Sequence, residues 1–182
     1  MGATVVNNLY VNMLPLTKLL KTCMISVLFV FSGNAYANNV FEKPVITKEL
    51  VLKANKDQVW SALTDHNELE KWWNKGVRLE PFVGGEFYEP WGDGQLATGK
   101  VAQLAPLKFI EFTWQEKTWN SFENTKCSFT LKEFSGKTVI YVEHSGWEIF
   151  KSEEKVKRLV KGFEQEWDSL LPKLKRHIES KE

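Results

Sequence analysis

The sequence predicts an α+β domain: a curved antiparallel β-sheet of about seven strands wrapped around one long C-terminal helix, with two short helices after the first strand. Three observations carry that prediction. Residues 77–145 read as short period-2 segments divided by Gly, Pro and Asp turns, residues 152–180 bear a single amphipathic stripe, and helical spacing is otherwise confined to residues 56–73. Composition agrees with a packed core, since the 182 residues are 43% hydrophobic and include 8 Trp and 12 Phe. With 24 basic against 23 acidic side chains, the chain lacks the charge excess of a disordered segment and the basic surplus of a general nucleic-acid binder.

The first 37 residues stand apart. They contain Lys18 and Lys21, no Asp or Glu, an apolar run from Met24 to Phe31, and the ending Ala35-Tyr36-Ala37. A basic start, a short apolar centre and a small-x-small close are the parts of a secretory signal peptide. The run is too short to cross a hydrocarbon layer, which needs about 20 residues. Residues 1–37 are therefore expected to be cleaved, leaving no stable membrane anchor and placing the protein in the periplasm or outside the cell. Met13 is an alternative start, because Met13 to Ala37 alone has the usual proportions. Cleavage removes two lysines and no acid, so the mature chain carries a net charge of −1. Cys23 leaves with the signal, Cys127 stands alone, and an intramolecular disulfide is ruled out. Residues 38–44 read as a short linker and residues 45–180 as one domain.

Val45 to Lys53 alternates, with Ile46, Lys48, Leu50 and Leu52 on one side, and forms the first strand. Asn55 is placed to cap a helix over 56–64 whose Val59, Trp60 and Leu63 share a face. A second helix over 66–73 aligns Leu69, Trp72 and Trp73. Strands follow over 77–80, 86–89, 95–104, 108–114, 126–134 and 137–145, with turns at Gly84-Gly85, Gly92-Asp93-Gly94 and Ser135-Gly136. The final helix carries Val156, Val160, Phe163, Trp167, Leu170 or Leu171, Leu174 and Ile178 on one stripe, and Pro172 within it predicts a kink. A sheet of this length must bury one face, and the C-terminal stripe is the one element large enough to cover it. Curved sheet and straight helix match poorly in shape, and the gap between them is where a small ligand would bind.

The segment from Val45 to Glu179 resembles the SRPBCC (START-like, birch-pollen-allergen-like) superfamily, and within it the domain homologous to the activator of the 90-kDa heat-shock protein ATPase. The matching residues are Asn55-Lys56-Asp57-Gln58-Val59-Trp60-Ser61-Ala62-Leu63-Thr64, Leu69-Glu70-Lys71-Trp72-Trp73, Pro81-Phe82-Val83-Gly84-Gly85-Glu86-Phe87, Trp91-Gly92-Asp93-Gly94, Glu111-Phe112-Thr113-Trp114 and His144-Ser145-Gly146-Trp147. Their order and spacing carry the resemblance, which implies the helix-grip fold. The superfamily hosts carriers, receptors and cyclases, so it leaves the chemistry open.

Two readings of the interior follow. With Ser135-Gly136 as a two-residue turn, Leu131 faces Ile140, Phe129 faces Val142 and Cys127 faces His144, all pointing inward. Cys127 and His144 then form either a nucleophile and base facing the cavity or an inert buried thiol beside a packed imidazole. No third residue is found to orient the base, because Glu143 and Ser145 alternate to the other face. Trp73, Phe87, Phe112, Trp114, Phe129, His144, Trp147, Phe163 and Trp167 are the candidate ligand-binding residues, as core or as pocket wall. The favoured function is non-enzymatic binding of a small apolar or amphipathic molecule. The alternatives are an enzyme using His144 with Cys127, cyclase- or hydrolase-like, and a domain regulating a protein partner. No cofactor is implied, and His66, His144 and His177 lack metal-ligand spacing.

Overall fold

The computed structural model describes residues 43–180, all within one unit spanning Val40–Glu182. The expected signal peptide, the choice of start and most of the expected linker lie outside the described residues. The chain order is β1 (Ile46–Leu52), α1 (Lys56–Thr64), α2 (His66–Leu69), β2 (Arg78–Leu79), β3 (Glu86–Pro90), β4 (Leu96–Ala105), β5 (Phe109–Glu116), β6 (Thr125–Phe134), β7 (Lys137–Ser145), a 3-10 turn (Trp147–Ile149) and α3 (Glu153–Glu179). The strands form one antiparallel sheet in the order β1-β7-β6-β5-β4-β3-β2. The sheet is curved and α3 lies in its concave face, which is the helix-grip arrangement the sequence predicts.

Local chemistry explains most boundaries. Asn55 caps α1 by accepting from Gln58 N, and the Gln58 side chain accepts from Asn55 N, a reciprocal capping box. Val59, Ala62 and Leu63 form the buried face of α1, while Trp60 is half-buried beside it. Asp65 caps α2, which ends at Leu69, earlier than expected, because the chain tightens into single turns that leave Trp72 and Trp73 buried. Ser152 caps α3, with Glu153 and Glu154 in its first turn and Arg176 and His177 in its last, charges that complement the helix dipole. Pro172 does not interrupt α3. Its neighbours Leu171 and Leu174 stay buried, so packing against the sheet holds the helix across the missing hydrogen bond.

The β6–β7 hairpin turns at Ser135 (φ 50°) and Gly136 (φ 72°), both left-handed, so this is a type I′ turn whose twist suits the flanking strands. It sets Cys127 opposite His144, Phe129 opposite Val142 and Leu131 opposite Ile140, and all six are buried. Between β4 and β5 the register shifts at Val101–Gln103, and such a bulge bends a sheet. Gly99 lets these strands approach closely, since a Cβ there would lie 1.7 Å from the Thr113 carbonyl oxygen. The convex face carries Lys100, Ala102, Lys132, Tyr141 and Glu143 in solvent.

Candidate functional site

All nine predicted ligand-binding residues are buried and meet in one aromatic cluster. Trp73 sits at its centre, with ring centroids 5.4 Å from Trp167, 6.0 Å from Phe87 and Trp114, and 6.2 Å from Phe129. Phe112 packs on Phe87 at 4.5 Å, and His144 packs on Trp147 at 4.4 Å and on Phe163 at 4.8 Å. These rings cover one another, and Phe163 also lines an open cleft against α3.

His144 is held on both sides of its ring. Trp167 Nε1 donates to Nδ1 at 3.4 Å, and Nε2 lies 2.8 Å from Thr125 Oγ1. An indole N–H can only donate, so Nδ1 is the acceptor and Nε2 carries the proton. Burial lowers the His144 pKa to about 3, so the ring is neutral at physiological pH. Burial, and then the negative charge of Glu89, pushes the Cys127 thiol well above its ordinary value. No hydrogen bond joins Cys127 to His144 among the described residues, although the two are paired across the strands. Thr125 and Trp167 orient the imidazole, a correction to the expectation that nothing would. Thr125 escapes notice in the sequence because the predicted strand begins one residue after it.

The open space lies between the β3–β5 end of the sheet and the first half of α3. It is a cleft of about 370 Å³ lined by Trp91, Glu116, Arg158, Leu159, Gly162, Phe163 and Glu166. That volume is at the lower end of the about 300–1,000 Å³ usual for small-molecule sites. Leu159, Gly162, Phe163 and Glu166 recur at helical spacing, which puts all four on one face of α3. A cleft of similar size, about 360 Å³, lies near the start of α3, but there Lys43 and Glu148 neutralise one another at 3.3 Å.

Glu89 lies outside the lining of the first cleft, buried beside two residues that line it, Trp91 and Glu166. Its side chain is fully buried, and its Oε1 accepts from Trp73 Nε1 at 2.7 Å and from Asn74 Nδ2. Its Oε2 has no partner. The Trp91 indole approaches the same carboxyl closely enough to lower its pKa, yet Trp91 Nε1 reaches no partner at hydrogen-bond geometry, and neither does Trp114 Nε1. Burial first, then the charge of Glu166, raises the Glu89 pKa to about 8. Glu116 and Glu166 are also raised, chiefly by burial, and Glu116 adds to the shift of Glu166.

None of Glu89, Trp91, Glu116 and Glu166 is among the residues expected from the sequence. The signal for them is alternation. Glu89 shares its phase with Phe87 on β3, Glu116 shares its phase with Phe112 and Trp114 on β5, and Glu166 adjoins the α3 stripe. No group of three metal-ligating side chains is placed to hold an ion among the described residues.

A model of the family described as activator of Hsp90 ATPase homolog 1-like protein matches residues 53–179. No curated protein sequence matches the chain. Among solved structures, a Mesorhizobium loti protein aligns with TM-score 0.67 at 22% identity, covering 76% of this chain and 99% of that one. The Aha1 dimer from Colwellia psychrerythraea aligns with TM-score 0.62 at 23% identity, over 74% of this chain and 96% of that one. A Bacillus halodurans protein aligns with TM-score 0.61 at 23% identity, over 74% and 96%. Likeness at such identities speaks to the fold.

Proposed function

The chain belongs to the family of activator of Hsp90 ATPase homologue 1-like proteins, and on that premise we propose that it is an exported, non-enzymatic domain that binds a small amphipathic molecule between its sheet and C-terminal helix. The cleft bounded by Trp91, Glu116 and the Leu159–Glu166 face of α3 carries this reading. Its walls combine the aromatic surface of Trp91 and Phe163 with the polar groups of Glu116, Arg158 and Glu166, and the Trp91 indole N–H, buried without a partner, is a group a ligand would satisfy. The nine predicted residues then act mainly as the rigid wall behind the ligand. Export to the periplasm or beyond rests on residues 1–37 alone.

The neutral imidazole of His144, engaged at both nitrogens, and the raised thiol of Cys127 favour binding over nucleophilic catalysis. Native mass spectrometry of the full chain purified from its host tests the proposal. A co-purified small molecule, lost when Gly162→Trp fills the cleft, is the expected result. A protein that carries no molecule, and whose tryptophan fluorescence no amphipathic compound perturbs, overturns it.

A further inference from the structure

We propose that the sheet end formed by the β6–β7 and β2–β3 connections is a reversible docking surface for a bilayer containing anionic phospholipid. Apolar side chains project there among lysines that lack carboxylate partners, and the inference stands apart from the reading of the cleft.

Strand order fixes the place. In an antiparallel sheet ordered β1-β7-β6-β5-β4-β3-β2, the β2–β3, β4–β5 and β6–β7 connections fall at one end, and the β3–β4 and β5–β6 connections at the other. The first end carries Phe82 and Val83 between β2 and β3, and Phe134 beside the β6–β7 turn, with relative exposures of 57%, 65% and 75%. Register adds to them. Phe134 pairs with Lys137, and the next pairs on the same face set Val139 between Lys132 and Val51. All five belong to the convex face, where opposed side chains lie about 4.5–5.5 Å apart. Val51 is exposed as well, so apolar and basic groups alternate over adjoining positions rather than standing singly.

Charge selects the partner. Lys53, Lys108, Lys132 and Lys137 are exposed at this end, and none has a carboxylate partner among the described residues. Glu133 opposes them at the turn, and Glu80 is tied to the Glu86 N–H. The other acids of the convex face stand further back: Glu49 one row beyond Val51, then Glu143 and Glu111 in a row about 14 Å beyond Val139, at about 3.4 Å per residue. That exceeds the screening length of about 10 Å at 0.1 M salt. An anionic surface met turn-first therefore faces lysines and apolar tips, whereas one met face-on would also meet carboxylates. A second copy would bring the same lysines against themselves. A rigid protein partner finds its apolar contacts on separate turns, while a fluid bilayer moulds to each of them and attracts the lysines. The cleft lies at the opposite end, beside Trp91 and Glu116, so docking leaves it accessible.

Co-sedimentation of the protein purified from its host with lipid vesicles tests the proposal. Vesicles of phosphatidylglycerol with phosphatidylcholine should bind it about ten-fold or more tightly than phosphatidylcholine alone, the effect of two or more lysines near an anionic surface. Raising salt from 0.1 to 1 M, which shortens screening from about 10 to about 3 Å, should remove most of that preference. Phe134→Ser and Phe82→Ser should each weaken binding about ten-fold, through lost apolar contact with the bilayer. Lys137→Glu should weaken it at least about five-fold. All three positions are exposed, so urea midpoints should stay at the wild-type value. Phe122→Ser is the control, because Phe122 is 85% exposed but belongs to the β5–β6 connection at the opposite end, and it should bind as the wild type does. No binding to anionic vesicles, binding indifferent to Phe134→Ser, or an equal loss on Phe122→Ser overturns the proposal. So does a dimer in lipid-free solution that Phe134→Ser dissolves, which would give this end to a second copy.

Discussion

Trp73 donates its indole N–H to Glu89 Oε1 at 2.7 Å, so the ring at the centre of the aromatic core also holds a fully buried carboxyl group that neighbours the cleft residues Trp91 and Glu166. A buried carboxyl group is costly to ionise, and its position is fixed here by residues whose own places are set by packing. The same core holds His144 in the opposite sense, as a base kept neutral.

These two groups predict an unusual pH profile of stability. Glu89 has an ordinary value of 4.5 and a folded value of about 8, so between those limits the folded state holds a proton that the unfolded state has lost, and stability falls as pH rises. His144 has an ordinary value of 6.5 and a folded value of about 3, so between those limits the unfolded state holds the extra proton, and stability rises with pH. The slopes cancel between pH 4.5 and 6.5. Stability should therefore change little there beyond a shallow fall with rising pH from the raised Glu116 and Glu166, then fall by about 1.4 kcal/mol per pH unit above 6.5 and by a similar slope below 4.5. Urea unfolding across this range checks it. Glu89→Gln should remove most of the alkaline fall, and a wild-type curve that keeps rising from pH 6.5 to 8 contradicts the assignment.

The Trp73–Glu89 bond has its own signature. Trp73→Phe removes a donor that lowers the Glu89 pKa, so the alkaline fall should extend to higher pH than in the wild type. The lost hydrogen bond should cost about 1 kcal/mol at neutral pH, besides any loss of packing. Measured in a Glu89→Gln background, the pH-dependent part of the Trp73→Phe effect should vanish, as a double-mutant cycle would show.

Much of the fold was legible in the sequence, for physical reasons that also mark the limit. Ser135-Gly136 fixed the β6–β7 register, because a two-residue turn leaves no freedom in pairing, and so Cys127 was correctly placed against His144. Asn55 and Ser152 announced helix starts through their side-chain oxygens. The candidate cleft was harder to see. Glu89 and Glu116 occupy inward phases of their strands, but a pattern reading that seeks apolar residues passes over charged ones, and charges inside a sheet are rare. Phe163 was foreseen as a ring descending from α3, whereas which rings close on one another depends on sheet curvature, set by the bulge between Val101 and Gln103 and by Gly99. Length misled at α2, where Leu69, Trp72 and Trp73 share a buried face without sharing a helix.

Gly99 should tolerate no side chain. A Cβ there would lie 1.7 Å from Thr113 O and 2.6 Å from Thr113 C, both backbone atoms of the neighbouring strand, so the strands would have to separate. Gly99→Ala should cost about 3 kcal/mol or more, in the range of severe overpacking. Gly136→Ala is the control: it meets nothing within 4 Å and carries only the strain of φ 72°, about 1 kcal/mol. Comparable urea midpoints for the two variants would contradict the close approach of β4 to β5.

The remaining thiol offers a direct reading of the interior. Cys127 is fully buried, its pKa lies well above the ordinary value, and the imidazole opposite carries its proton on the nitrogen that faces Thr125. The attacking species in alkylation is the thiolate, so the native protein should resist iodoacetamide at pH 7.5 and react at a rate that follows unfolding as urea is added. His144→Gln removes the imidazole without adding a positive charge, and should leave the thiol no more reactive except through lower stability. Rapid labelling of the native chain, slowed by His144→Gln, would instead reveal a pair in which the imidazole activates the sulfur, and would restore a catalytic role to β6 and β7.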